Sequence, residues 1–149
     1  MENKLDLFKN DNLNVKLSDF PDMPNIHGLK LSSTSANLYI NQNRDDLTLF
    51  SFDCDPIYSV VYTKSKVCSH CIIWNRKNTS KKIKGIFINT QNANTLNGKQ
   101  GYDSIKDIAK KISQKLNCKI NELLFASTGI IGEKFPTEKI SSKIDELVN

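Results

Sequence analysis

One stretch of this chain constrains its fold more than any other. Ile105, Ile108, Ala109, Ile112 and Leu116 recur at the 3.6-residue spacing of a helix, while Lys106, Lys110, Lys111 and Lys115 fall on the opposite side. A helix with a single apolar stripe has to bury that stripe against another layer. Strands are read on either side of it: Ile83 to Asn89 (IKGIFIN) before, and Leu123 to Ala126 (LLFA) after. Asp103 and Ser104 suit its first turn and Asn117 its end. Alternation of strands and helices points to α/β layering.

The remaining pattern extends this reading. Asp46 to Phe52 (DLTLFSF) alternates Leu47 and Leu49 against Thr48, Phe50 and Phe52, a strand expected to be covered on both faces. Ile57 to Thr63 (IYSVVYT) and Cys71 to Trp74 (CIIW) are rich in β-branched and aromatic residues and read as further strands. A last helix is expected from Pro136 to Val148, with Ile140, Ile144, Leu147 and Val148 as its buried stripe. Residues 1–25, with Pro21 and Pro24, read as a loosely ordered leader with one short helix near Leu5 to Phe8. Residues 26–149 form the single domain.

Composition excludes several classes. With 38% apolar and 25% charged residues in 149, the chain is neither collagen-like nor a highly charged disordered segment. No apolar run approaches the about 18 residues of a membrane helix, and the first residues have neither the pattern of a secretory signal nor that of a transit peptide. A cytoplasmic protein is expected. The net charge is +5, but only Arg44 and Arg76 supply the planar fork that reads bases, and the lysines are scattered. A solvated surface is expected rather than a nucleic-acid interface. Cys54, Cys68, Cys71 and Cys118 are expected to be reduced.

Three groups of residues offer chemistry. Ser127-Thr128-Gly129-Ile130-Ile131-Gly132 directly follows a strand. A hydroxyl followed by glycine there offers a side-chain O–H and a backbone N–H in one small concavity, the donor pair of an oxyanion hole. An ordinary glycine turn is the competing reading. Asn89-Thr90-Gln91-Asn92-Ala93-Asn94 supplies uncharged donors and acceptors that orient a polar substrate or satisfy each other as turns. Cys68-Ser69-His70-Cys71 has the spacing of half a zinc site, but no matching half is found, so no metal is expected. No histidine-based triad is well supplied.

Taken in order, these motifs resemble the ornithine acetyltransferase / N-acetylglutamate synthase family. The match runs through Asn89 to Asn94, Gly98-Lys99-Gln100-Gly101, the amphipathic helix, Ala126-Ser127-Thr128-Gly129-Ile130-Ile131-Gly132 and Phe135-Pro136. Asp46 to Leu49 and Val60 to Thr63 are similar to the family's first strands. The family shows Asn-Ser-Gly-Asn-Ala-Asn, Gly-x-Gln-Gly and Ala-Ser-Thr-Gly-Val-Ile-Gly at these places. The resemblance implies a layered α/β sandwich of mixed sheet and helices, as in the ornithine acetyltransferase / DmpA-like superfamily and here incomplete.

It also implies acetyl transfer from N2-acetylornithine to glutamate within arginine biosynthesis, with acetyl-CoA as a further co-substrate in some members and no bound cofactor. Family members cleave themselves before a threonine, which becomes the nucleophile of a β chain, and assemble as α2β2. Thr128 and Gly129 match the oxyanion hole; Asn89, Asn92 and Asn94 are supporting candidates for the substrate site. No threonine here sits in the cleavage context, so the chain is expected to be the α-chain portion, in need of its β partner. Thr90 and Gln91 stand where the family has Ser-Gly, and a left-handed backbone there would cost the glutamine. An inactive α-like domain serving as a binding module is the alternative.

Overall fold

The computed structural model describes residues 24–40, 42–78 and 82–148. Four strands form one sheet in the order β1 (Leu29–Thr34), β2 (Leu47–Phe52), β3 (Gly85–Asn89), β4 (Leu123–Ser127). The first three are mutually antiparallel, and β3 pairs parallel with β4. Between β2 and β3 lies α1 (His70–Asn78); α2 (Gly98–Lys115) makes the crossover from β3 to β4; α3 (Thr137–Val148) follows β4. A short 3-10 turn, Ile120–Glu122, leads into β4. The mixed sheet with helices agrees with the α/β layering read from the sequence.

Strand alternation decides where the core sits. Leu47, Leu49, Phe87, Leu123 and Phe125 project from one face and are buried. They meet Ile105, Ile108, Ala109 and Ile112 of α2 and Ile140, Ile144 and Leu147 of α3 in one continuous cluster. The helix stripe therefore finds the layer it required, and Val148 is only partly buried. The other sheet face is also apolar, yet it is not fully covered. Leu31 is 50% exposed, and Phe50, Phe52, Ile86 and Ile88 are half-buried. Covering on both faces, expected for β2, is thus met on one.

Two expected strands are absent, for different reasons. Residues 57–63 form no strand: Ile57 and Val61 lie exposed, and the segment is held from the side by Arg76, whose guanidinium stacks 5.5 Å from the Tyr62 ring and donates to the Thr63 carbonyl. Cys71 to Trp74 is part of α1. Ser69 caps that helix, its hydroxyl accepting the Ile72 N–H at 3.4 Å. Cys71, Trp74 and Asn75 then share a buried helical face.

Asn75 has a further task. Its side-chain amide donates to the Phe125 carbonyl and accepts the Phe125 N–H, both at 2.9 Å, on the side of β4 where no strand pairs among the described residues. The Trp74 indole N–H donates to the Leu123 carbonyl at 3.1 Å. Conversely, β1 escapes the sequence reading because Lys30, Ser32 and Ser33 interrupt its apolar pattern.

The helix ends differ by small shifts. Asn97 is the N-cap of α2, so Asp103 and Ser104 lie beyond its first turn, and Ser104 is buried with its hydroxyl on the Gln100 carbonyl at 2.8 Å. Asn117 ends α2 in the left-handed region, φ 50°, as its residue type suggests. The short helix near Leu5 to Phe8 and most of the leader lie outside the described residues.

Leu49→Ala should lower unfolding stability by about 2–5 kcal/mol, the range for emptying a packed leucine site. Leu31→Ala, on the open face, should cost less than about 1 kcal/mol. Urea midpoints of the two variants, read at a shared slope, check the difference.

Candidate functional site

The parallel pairing of β3 and β4 brings the loops that follow them to the same end of the sheet. The pairing does not stop where the strands do. The Thr128 N–H donates to Asn89 O at 3.1 Å and the Ile130 N–H to Gln91 O at 2.8 Å. Ala93 N–H returns to Ile130 O at 2.9 Å, and Gly132 N–H to Thr95 O at 3.1 Å. Residues 89–95 and 128–132 thus run side by side, with Asn92 and Ile130 in a parallel bridge.

Gly129 stands where the two loops come closest. A Cβ placed on it would lie 2.2 Å from both the carbonyl carbon and the oxygen of Gln91, and its φ is 122°. Only a residue without a side chain fits this close approach. Gln91 in turn sits at φ 72°, the left-handed conformation whose cost the sequence comparison anticipates for a glutamine.

The three asparagines face inward. Asn89 is 1% exposed, and its Nδ2 donates to Asn92 O at 2.9 Å and Thr90 O at 3.2 Å. Asn92 is buried, with Nδ2 3.3 Å from a Glu133 carboxylate oxygen. Asn94 is fully buried; its Nδ2 donates to Gly101 O at 2.8 Å, and its Oδ1 accepts the Asn97 amide at 3.2 Å. These hydrogen bonds are those of the self-satisfied turn, and through them the carboxamides shape the loop.

What the loop leaves over is a pair of donors. Thr128 and Gly129 are both exposed. The N–H groups of Thr128 and Ile130 are spent on β3 and its loop. Neither the Thr128 hydroxyl nor the Gly129 N–H is hydrogen-bonded to any described residue. Leu96, Ile130 and Ile131 form an exposed apolar margin on the same two loops. Two concavities lie elsewhere: one of about 570 Å³ between α2 and α3, and one of about 280 Å³ around Phe135 and Pro136. Neither is lined by Thr128 or Gly129.

The Cys-Ser-His-Cys segment is drawn into this region by hydrogen bonds from His70 and Cys71. Among the described residues no three metal-ligating groups cluster. His70 donates its N–H to Asn94 O at 2.8 Å, with Nδ1 3.1 Å from the same oxygen. The Cys71 thiol lies 3.3 Å from the Ser127 hydroxyl, and burial pushes it up to about 11. These two links leave no local signal, because neither His70 nor Cys71 is close to Asn94 or Ser127 along the chain.

The model of the ArgJ family matches residues 30–149. The arginine biosynthesis bifunctional protein ArgJ of Gluconobacter oxydans is 34% identical over 121 residues, covering 80% of this chain and 28% of that protein. The protein of that name from Mesorhizobium japonicum is 33% identical over 131 residues, covering 87% and 32%. The chain thus spans about three tenths of the curated relatives it matches. Among solved structures, ornithine acetyltransferase of Mycobacterium tuberculosis complexed with ornithine superposes with a TM-score of 0.76 at 21% identity, covering 82% of this chain and 66% of that one. The ArgJ structure from Bacillus halodurans gives 0.73 at 22%, covering 79% and 62%. At such identities the structures speak for the fold, and the match over residues 30–149 speaks for the lineage: the chain belongs to the ArgJ family.

Proposed function

We propose that this chain supplies the oxyanion-stabilising part of an acetyltransferase that moves acetyl from N2-acetylornithine to glutamate in cytoplasmic arginine biosynthesis. The observation that carries the reading is the donor pair of Thr128 and Gly129, exposed and unengaged between N–H groups that are fully engaged. When a nucleophile attacks an acetyl carbonyl, negative charge gathers on its oxygen. Two donors already fixed in place stabilise that charge without reorganising at the moment of reaction.

The nucleophile belongs to the rest of the protein. In this reading a β chain brings an N-terminal threonine whose own α-amino group, with an ordinary pKa of about 7.7–8.0, takes the hydroxyl proton. The oxygen attacks the acetyl carbon, the α-ammonium gives its proton to the departing nitrogen so that ornithine leaves as its amine, and the glutamate amine then attacks the resulting acetyl ester, taking the acetyl and freeing the threonine hydroxyl. Acetyl-CoA is a second donor to be tested in the same assay. The half-open apolar sheet face supports a chain that works in company with such a β chain, in the α2β2 assembly that the resemblance implies.

The test is to co-express this chain with the remaining portion of the Gluconobacter oxydans relative and follow acetyl transfer to glutamate. Absence of turnover from an assembled complex would favour the binding-module alternative. In an active complex, Thr128→Ala should slow turnover by about 10²–10³-fold, the effect of deleting one oxyanion donor. Gly129→Ala should do more: it drives a methyl group into the Gln91 peptide, so turnover and thermal stability should fall together. Steady-state rates with melting curves of the same samples separate the two effects.

A further inference from the structure

The start of α1 brings a buried thiol to the foot of the Thr128–Gly129 turn. Cys71 is 3% exposed, and its Sγ lies 3.3 Å from Ser127 Oγ. Ser127 is the last residue of β4, and the same oxygen accepts the Asn94 N–H at 2.9 Å. Asn94 has none of its polar groups idle: its carbonyl takes His70, its Oδ1 takes Asn97, and its Nδ2 binds Gly101. One chain of hydrogen bonds therefore joins the beginning of α1, the beginning of α2 and the end of β4.

We propose that Cys71 is a positioning residue: its S–H, donated to Ser127 Oγ, holds the end of β4 against Asn94 and so sets where the Thr128 hydroxyl and the Gly129 N–H point. The claim concerns the turn's geometry; its bearing on catalysis rests on the reading of that pair as oxyanion donors. Near neutrality the sulfur is protonated, because burial pushes the thiol up to about 11. It is therefore a donor, and Ser127 Oγ accepts from two sides at once.

The other side of the joint is closed by contact. A Cβ on Gly101 would lie 2.5 Å from Asn94 Oδ1 and 2.7 Å from His70 Nδ1, so α2 presses directly on the residue that Ser127 grips. Asn94 cannot shift toward α2 if the grip loosens, and slack appears at the β4 end, where Thr128 begins. The cysteine and histidine of the Cys-Ser-His-Cys segment thereby acquire a role that needs neither a metal nor a disulfide.

The experiment is amide hydrogen exchange, read by NMR on the full 149-residue chain. The Thr128 and Ile130 amides report the turn, and the Ile108 and Ile112 amides of α2 report the core. In Cys71→Ala the turn amides should exchange about three- to tenfold faster while the α2 amides hold, as expected for losing one modest hydrogen bond locally. Cys71→Ser, which keeps a donor, should return to within about twofold of the parent. Should Cys71→Ala fail to fold, Cys71→Val, which fills the buried site but cannot donate to Ser127 Oγ, should give the same local acceleration. Turn amides that do not change, or that accelerate in step with α2, would overturn the proposal.

In the assembled enzyme Cys71→Ala should lower kcat with KM unchanged, and Cys71→Ser should restore it. Exchange does not depend on turnover. A parent complex without activity would therefore defeat the acetyl-transfer reading, while the exchange result would still decide this one.

Discussion

Everything at the functional end of this molecule depends on the contact between Gly129 and the Gln91 peptide. Parallel strands ordinarily part where their loops begin. Here the pairing carries on for several residues, because Gly129 has no side chain to hold the loops apart and Gln91 accepts a left-handed backbone. The N–H groups on either side of Gly129 are consumed by that pairing, and the one between them is not. A donor directed away from its own fold is therefore a geometric by-product of two loops lying side by side.

The larger architecture puts this contact where it is useful. In open α/β sheets, ligands gather beyond the carboxyl ends of the strands. The α2 crossover makes β3 and β4 parallel, so their carboxyl ends coincide and the loops with Asn89–Asn94 and Thr128–Gly132 meet. The helix is anchored by its apolar stripe on the buried sheet face, and its first turn presses on Asn94 through Gly101. Core packing and site geometry are thereby mechanically continuous. The opposite sheet face stays apolar and half-open, with Leu31 exposed and Phe50, Phe52, Ile86 and Ile88 half-buried.

Legibility in the sequence followed the strength of local patterning. The α2 stripe, the Leu47–Phe52 alternation, β3, β4 and α3 all rest on clear periodicity, and the structure carries each. Cys71 to Trp74 reads as a strand but folds as helix, because four residues suit either equally; the buried Asn75, whose amide caps the β4 edge, is what settles the matter. Ile57 to Thr63 has strand composition but pairs with no strand among the described residues, and composition cannot supply a partner. At the site, the Thr-Gly and Asn-Ala-Asn runs were visible as motifs, and the glutamine at position 91 was visible as a backbone oddity. What the asparagines do was not: a carboxamide looks the same in a sequence whether it grips its own loop or a substrate. Nor could the reach of His70 and Cys71 into that loop be read, since it depends on α1 being a helix.

Oxyanion stabilisation here requires Thr128 and Gly129 to converge on one oxygen. The direct test is a structure of this chain, assembled with the β portion of a relative, bound to a phosphonate that mimics the tetrahedral acetyl adduct. A single phosphonate oxygen should lie about 2.7–3.1 Å from both the Thr128 hydroxyl and the Gly129 nitrogen. A mimic seated in the active complex with its oxygen held by other groups, and these two donors turned away from it, would contradict it.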